Sequence, residues 1–354
     1  MHRFLIPLTS VFLLLFPSIS ISNPTSRDSF EWEGTKIIKF LSDETDVVIP
    51  DGTTEIGAFA FAACETLKSV VIPPSVTKIE TNAFDGCSSL KSITIPEGVT
   101  KIKSCAFIGC ISLTSVEISN SVKEIAPDAF AHCSALEKWG VSSTHPYFKT
   151  DGPALLTKDG KKLIACLSSV KEYHIPESVK VIGESAFIEC DSLTSIVIPE
   201  SVEVIEGEAF AFCDSLTSVI IKKARRIGER AFCSCNSLKS IEIPEGVEVI
   251  ERETFSGCES LTSIVIPKSV TKISEAAFSS CASLKSIVLP ESVTKIGDDA
   301  FAACTDLTSV SIPQGVTKIG FCAFEHCPDL TIHAPKGSKA QKYAKKNKIP
   351  FKAK

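Results

Sequence analysis

The sequence predicts an α/β solenoid: a right-handed coil with a parallel β-sheet along one face and short α- or 3-10 helices along the other. Three observations lead there. Eleven phenylalanines recur with a period of 23 residues, running Phe61, Phe84, Phe107, Phe130 and, after a longer gap, Phe187, Phe210, Phe232, Phe255, Phe278, Phe301 and Phe324, with one step of 22. A cysteine stands three residues after each, from Cys64 to Cys327, and a leucine three further on, from Leu67 to Leu330. An isoleucine stands five before each, from Ile56 to Ile319. Four apolar columns in register mean one unit repeated, and so short a unit has a core only when stacked on its neighbours.

Each element of the unit has a physical reading. In Leu284–Pro290, Ile287 and Leu289 alternate with Ser286 and Val288, the period of a strand with one face inward. Pro290 ends it by removing a ladder donor. Glu291 and Ser292 turn the chain, and Val293 and Ile296 point back inside. From Ala300 to Cys304 the apolar spacing becomes three, which predicts one or two turns of helix with Phe301 and Cys304 on one side. With strands about 4.8 Å apart, roughly a dozen coils give an arc on the order of 60 Å.

The departures from the pattern are also readable. One residue is missing between Ile221 and Ile227, with Lys222 in place of the usual proline, which shortens a turn. The 57-residue gap from Phe130 to Phe187 holds one period plus 34 residues. Trp139 and Val141 take strand positions there, as do Tyr173 and Ile175. Asp159-Gly160 between apolar runs signals a hairpin. The organisation expected is therefore an export signal at 1–22, an N-terminal cap and first strand at 23–50, and a repeat array at 51–335 with a variant hairpin coil at 142–174. A basic cap at 336–354 completes it, its short helix capped by Ser338 with Ala340, Tyr343 and Ala344 on one side.

The export signal rests on His2-Arg3, an apolar run from Phe4 to Phe16 and small residues at Ser20 and Ser22. That run is shorter than the roughly 20 residues of a membrane span, and no second one follows. Removing Arg3 with the signal takes the net charge from −5 to −6. A chain 44% apolar and 22% charged is globular rather than disordered, and a pI near 5.8 argues against nucleic acid as the partner. The protein is expected outside the cell, secreted or on the surface.

The pattern Leu-x-x-Ile-x-Ile-Pro-x-x-Val-x-x-Ile-Gly-x-x-Ala-Phe-x-x-Cys resembles the BspA-like leucine-rich repeats, a 23-residue class found on surfaces of bacteria and parasitic protists. Residues 193–216 and 284–307 fit it almost position for position, 141–166 looks like its hairpin-bearing variant coil, and 337–351 looks like its C-terminal cap. The resemblance covers nearly all of the chain after the signal. It implies a leucine-rich-repeat solenoid and a role in adhesion to matrix, host cells or other microbes, with no catalytic residues to carry over.

The chemistry of the sequence agrees with binding rather than catalysis. It has six histidines, and no Gly-x-Ser-x-Gly, His-Glu-x-x-His or phosphate-cradling glycine loop. No cofactor or metal is expected, since His132 and His326 lie far apart along the array and Cys233-Ser-Cys235 has the wrong spacing for zinc. Eleven of the fifteen cysteines share one column. Side chains pointing in parallel suit buried thiols better than a row of disulfides, and Cys105, Cys166, Cys233 and Cys322 lie off that column.

The candidate site is the concave strand face, where the outward positions read Val71, Thr94, Glu117, Val197, Ile220, Glu242, Val265, Val288 and Ser311 beside a column of serines. Aliphatic residues in a row on an outward sheet face mark interaction surfaces, although β-branched residues also simply suit strands. The partner expected is an extracellular protein or glycan. A second row, Lys78, Lys101, Lys123, Lys180, Arg225, Arg226, Lys272, Lys295 and Lys318, either reads a polyanion or is a solvated edge balanced by nearby acids. The alternatives to an adhesin-like protein are an extracellular spacer and a secreted inhibitor of a foreign enzyme.

Overall fold

In each regular coil the chain makes one longer strand, turns at the proline, makes a two-residue strand, and returns through tight turns that carry the phenylalanine. The computed structural model describes residues 24–354, so the export-signal segment lies outside the described residues. Two parallel ladders result. The longer strands stack as Ser92–Ile95, Ser115–Ile118 and Lys138–Val141 in the first half, and as Ser195–Ile198, Ser218–Ile221, Ser240–Glu242 and Ser263–Val265 in the second. The two-residue strands, such as Lys272–Ile273, Lys295–Ile296 and Lys318–Ile319, form a second ladder that the sequence reading takes for part of the turn.

The helices expected on the far face are absent. Apart from a 3-10 turn at Arg27–Ser29, the helix of the described residues is Lys339–Asn347, in the C-terminal cap. The phenylalanine segments are chains of β-turns, and the backbone hydrogen bonds give the reason. Ala62 N–H donates to the Phe59 carbonyl (3.1 Å) and Cys64 N–H to that of Phe61 (3.2 Å), closing local turns. The alternate amides point to the next coil: Phe61 N–H donates to the Ala83 carbonyl at 2.8 Å and Ala63 N–H to that of Asp85 at 2.7 Å. An α-helix directs every amide along its own axis and would leave none for the neighbour. The alternation needs left-handed backbone two residues before and after the phenylalanine, as at Phe59 (φ 58°) and Ala63 (φ 56°). Gly86 and Gly109 occupy the later of these positions, where glycine adopts left-handed backbone without the strain a side chain adds.

The columns are the core. The phenylalanine rings stack face to face from Phe61 to Phe130 and again from Phe187 to Phe324, with centroids 4.8–5.7 Å apart and planes within 13°. The shortened coil leaves this untouched: Phe210 and Phe232 stack at 5.2 Å, and the lost residue is absorbed in the outer turn at 222–225. Nine of the eleven column thiols donate to the carbonyl of a phenylalanine one coil back, as Cys258 Sγ does to Phe232 (3.1 Å) and Cys304 Sγ to Phe278 (3.1 Å); Cys190, which opens the second stack, donates to Leu167 instead. All fifteen cysteines are free thiols. Burial pushes the pKa of Cys258 and that of Cys304 up to about 12.

Both ends are closed. Phe30–Glu33 and Lys36–Phe40 make an antiparallel hairpin whose Phe40 ring stacks on Phe61 at 5.1 Å. At the other end Ser338 caps the helix by accepting from Gln341 N–H, Ala340 and Ala344 are buried, and Tyr343 meets Phe324 edge-on. A strand not anticipated, Phe351–Ala353, then adds to Thr331–Ala334 and continues the longer-strand ladder.

The core is not one continuous filling but two, divided at the variant coil. Phe130 ends the first stack against the edge of Trp139, and Tyr173 opens the second against Phe187. Between them Phe148–Asp151, Ala154–Thr157 and Lys162–Cys166 form an antiparallel meander. Its side chains alternate as a strand requires. Leu155 and Ile164 face the first core, while Ala154, Leu156 and Leu163 face the second. Tyr173 and Ile175 lie outside any strand; Lys162–Cys166 takes up the pairing with Val181–Ile182 instead. His145, fully buried, pins the meander to the preceding coil. Its Nδ1 accepts from the amides of Tyr147 and Phe148, both at 3.1 Å, and its Nε2 bonds the Ser119 carbonyl at 2.9 Å.

Candidate functional site

The outward positions of the longer strands do line up across coils. Thr94 pairs in register with Glu117, Val197 with Ile220, Glu242 with Val265, and Val288 with Ser311. They do not form one uniform surface. In the first half the row passes from Val71 through Thr94 and Glu117 to Gly140, and Glu117 is engaged by Lys138 at 3.3 Å. In the second half Val197, Ile220, Val265 and Val288 are 46–71% exposed, interrupted by Glu242.

Beyond Ser311 the row continues through His333 to Lys352, which the sequence reading missed because both lie outside the regular repeat. The signal was Thr331-Ile332-His333-Ala334-Pro335, in which the alternation of a strand and its closing proline survive one residue nearer the column leucine Leu330 than in the regular coils. The serines beside the aliphatic row, Ser195, Ser218, Ser240, Ser263 and Ser286, are exposed, so the patch is edged by hydroxyls.

Exposed apolar side chains on a rigid sheet gain by being covered, at roughly 25 cal/mol per Å² of apolar surface. With their backbone groups already paired in the ladder, they offer shape and apolar area rather than chemistry. The arrangement can bind; it supplies no nucleophile or acid–base pair.

The lysine row of the first half is largely matched by acids: Lys36 and Lys78 both reach Glu55, at 2.8 and 3.4 Å, and Lys101 reaches Glu124 at 2.7 Å. His132 bonds Glu189 across the division between the cores. Where the short-strand ladder stops at Glu124–Ile125, a cleft of about 590 Å³ opens beside Phe148, with Lys101, Lys103, Lys123 and Lys162 at its walls.

Asp299, Cys322 and Glu325 bring one donor atom each within 4.8 Å of one another, the one such grouping among the described residues. A hydrogen bond to the Glu325 carboxylate is the main cause that raises the Cys322 thiol to about 11.

Comparison with known proteins bears on the fold. The family model described as "BspA type Leucine rich repeat region" matches residues 41–151, 157–282 and 225–344 in six copies. The crystal structure of a leucine-rich repeat protein from Eubacterium ventriosum is similar with a TM-score of 0.69 at 23% identity, over 82% of this chain and 88% of that one. That of the pneumococcal vaccine antigen PcpA is similar with a TM-score of 0.59 at 18% identity, over 88% of this chain and 79% of that one. No curated protein matches the chain.

Proposed function

Because this chain belongs to the BspA-type leucine-rich repeat family, we propose that it is an adhesin-like binding protein, secreted or held at the cell surface, that engages an extracellular protein or glycan through its longer-strand face. The observation that carries this reading is the row Val197, Ile220, Val265 and Val288, four aliphatic side chains left in solvent within five successive coils. Each coil could place a polar residue there without cost to its interior, as Glu242 does. Large apolar groups kept outward in a rigid frame favour a partner that covers them. The export-signal pattern at 1–22 supports the location, and no described helix is long and apolar enough to cross a membrane.

The test is to introduce Val197→Lys, Ile220→Lys and Val265→Lys together and measure binding to cells and to extracellular matrix. These positions are exposed, so the variant keeps its melting temperature within a few degrees. Loss of binding by at least tenfold is expected; binding equal to the parent's removes this face as the site.

A further inference from the structure

The cationic side chains of the short-strand ladder are distributed unevenly. In the first half the outward row reads Lys36, Glu55, Lys78, Lys101 and Glu124, in register, with opposite charges bonded. In the last coils the same row reads Lys272, Lys295 and Lys318, again in register on neighbouring strands. All three are exposed, and none has a carboxylate within salt-bridge distance among the described residues. Like charges on adjacent strands about 4.8 Å apart repel. The fold does not require lysine at this position, since Val249 holds it one coil before Lys272 and Val204 three coils before.

The row does not stop at Lys318. The cap helix Lys339–Asn347 packs against the strand Lys318–Ile319. The cap, residues 336–354, holds eight lysines and no acidic residue, and all eight are exposed. A chain of net charge −5 thus gathers eleven unneutralised cations at one end. Three residues beyond Lys318 stands Phe321, 77% exposed and the barest large apolar side chain of the described residues. Carboxylates of the neighbouring row, Asp298 among them, bound the strip on that side; the Phe321 amide bonds Asp298 Oδ1 at 2.8 Å.

We propose that this end of the solenoid is a second, separate binding surface, which takes a linear sulfated polysaccharide. An evenly spaced line of ammonium groups suits a chain carrying an anion at each sugar. A bare phenyl ring beside it suits the apolar face of a pyranose. A lipid headgroup layer is flat rather than linear, and a nucleic acid would be read by stacking along the strip rather than by one ring at its edge.

The experiment uses the full secreted chain and heparin as the probe, with chemically desulfated heparin, single-stranded DNA and phosphatidylserine vesicles as the other arms. Binding to heparin is expected, weakening steeply with salt because several ammonium–sulfate contacts release counterions, as they do on other polyanions. Lys272→Ser, Lys295→Ser and Lys318→Ser together lower the affinity at least tenfold, and Phe321→Ser lowers it about threefold. The set Lys339→Gln, Lys342→Gln and Lys346→Gln, on the exposed face of the cap helix, lowers it further while the melting temperature stays near the parent's. A charge-neutral strand-face variant, Val197→Ser, Ile220→Ser and Val265→Ser together, binds heparin like the parent, which separates this surface from the strand face. The proposal is overturned if the parent does not retain heparin at physiological ionic strength, if the three-lysine variant binds unchanged, or if DNA, vesicles or desulfated heparin bind as tightly.

Discussion

Leu193 and Leu155 are both fully buried, but different neighbours bury them. Leu193 is one rung of a column: the equivalent leucine of the coil on the far side is Leu216, and its own mould is repeated every 23 residues. Leu155 belongs to no column. It sits on a strand whose next residue, Leu156, looks into the other core. A regular coil is therefore one-sided, with its apolar columns inward and its other face to solvent. The meander at 148–166 is two-sided, a partition between two fillings. The first arrangement can be extended by copying; the second has to be fitted to both neighbours at once.

The largest expected effect comes from breaking a column in its middle. Phe278→Ala removes a ring stacked on Phe255 at 5.5 Å and on Phe301 at 5.2 Å. A loss of about 3–5 kcal/mol is expected from the cavity and the lost contacts, read as a fall in the thermal midpoint. An unmoved melt would contradict the stacking that holds neighbouring coils together.

The partition is tested by a pair of variants. Leu155→Ala and Leu156→Ala each remove a fully buried side chain, at about 2–5 kcal/mol. Hydrogen exchange then distinguishes the two faces. Leu155→Ala should accelerate exchange chiefly in residues 30–141, and Leu156→Ala chiefly in residues 179–344, following the core each one faces. Identical exchange maps would mean that the two fillings behave as one.

The smallest effect concerns the clamp. Burial lowers the pKa of His145 below its ordinary value of 6.5. The two amides donating to Nδ1 also require that nitrogen to be unprotonated. In the unfolded chain the imidazole takes its proton first as pH falls. The clamp's contribution is therefore complete above the ordinary value and is lost as pH drops through the lowered one. Denaturant midpoints measured at about pH 7.5 and about pH 5.5 should differ in the parent and differ less in His145→Ala. That variant should itself lose about 1–3 kcal/mol at the higher pH.

The sequence made the regular coils legible because each position is stated eleven times. The phenylalanine, cysteine and leucine columns, the proline that ends most of the longer strands and the shortened coil at Lys222 all follow from spacing and from what proline cannot do. The turn segments were misread because apolar spacing of three fits a helix and a β-turn chain equally well. The deciding feature is the left-handed backbone, and residues such as Phe59, Ala63 and Asn82 adopt it without glycine to announce it.

Asp159-Gly160 announced a hairpin, and strands Ala154–Thr157 and Lys162–Cys166 flank it. The partition itself was hidden for a different reason. A strand covered on both faces shows a continuous apolar run, as in Ala154-Leu155-Leu156, and such a run does not say what lies on either side. For the candidate face, register made the aliphatic row visible. The contrast between a neutralised and a bare lysine row needed the positions of the carboxylates.

The shortened coil carries one more consequence. A residue vanished between Ile221 and Ile227, yet Phe210 and Phe232 keep their 5.2 Å spacing. The outer turns thus act as slack in the thread, decoupling chain length from the stacking of the rings. Insertions or losses of a residue or two at those turns would alter what the molecule displays along its edges while its interior stayed in step. Variation of that kind lets an array change its exterior without having to be refolded around a new centre.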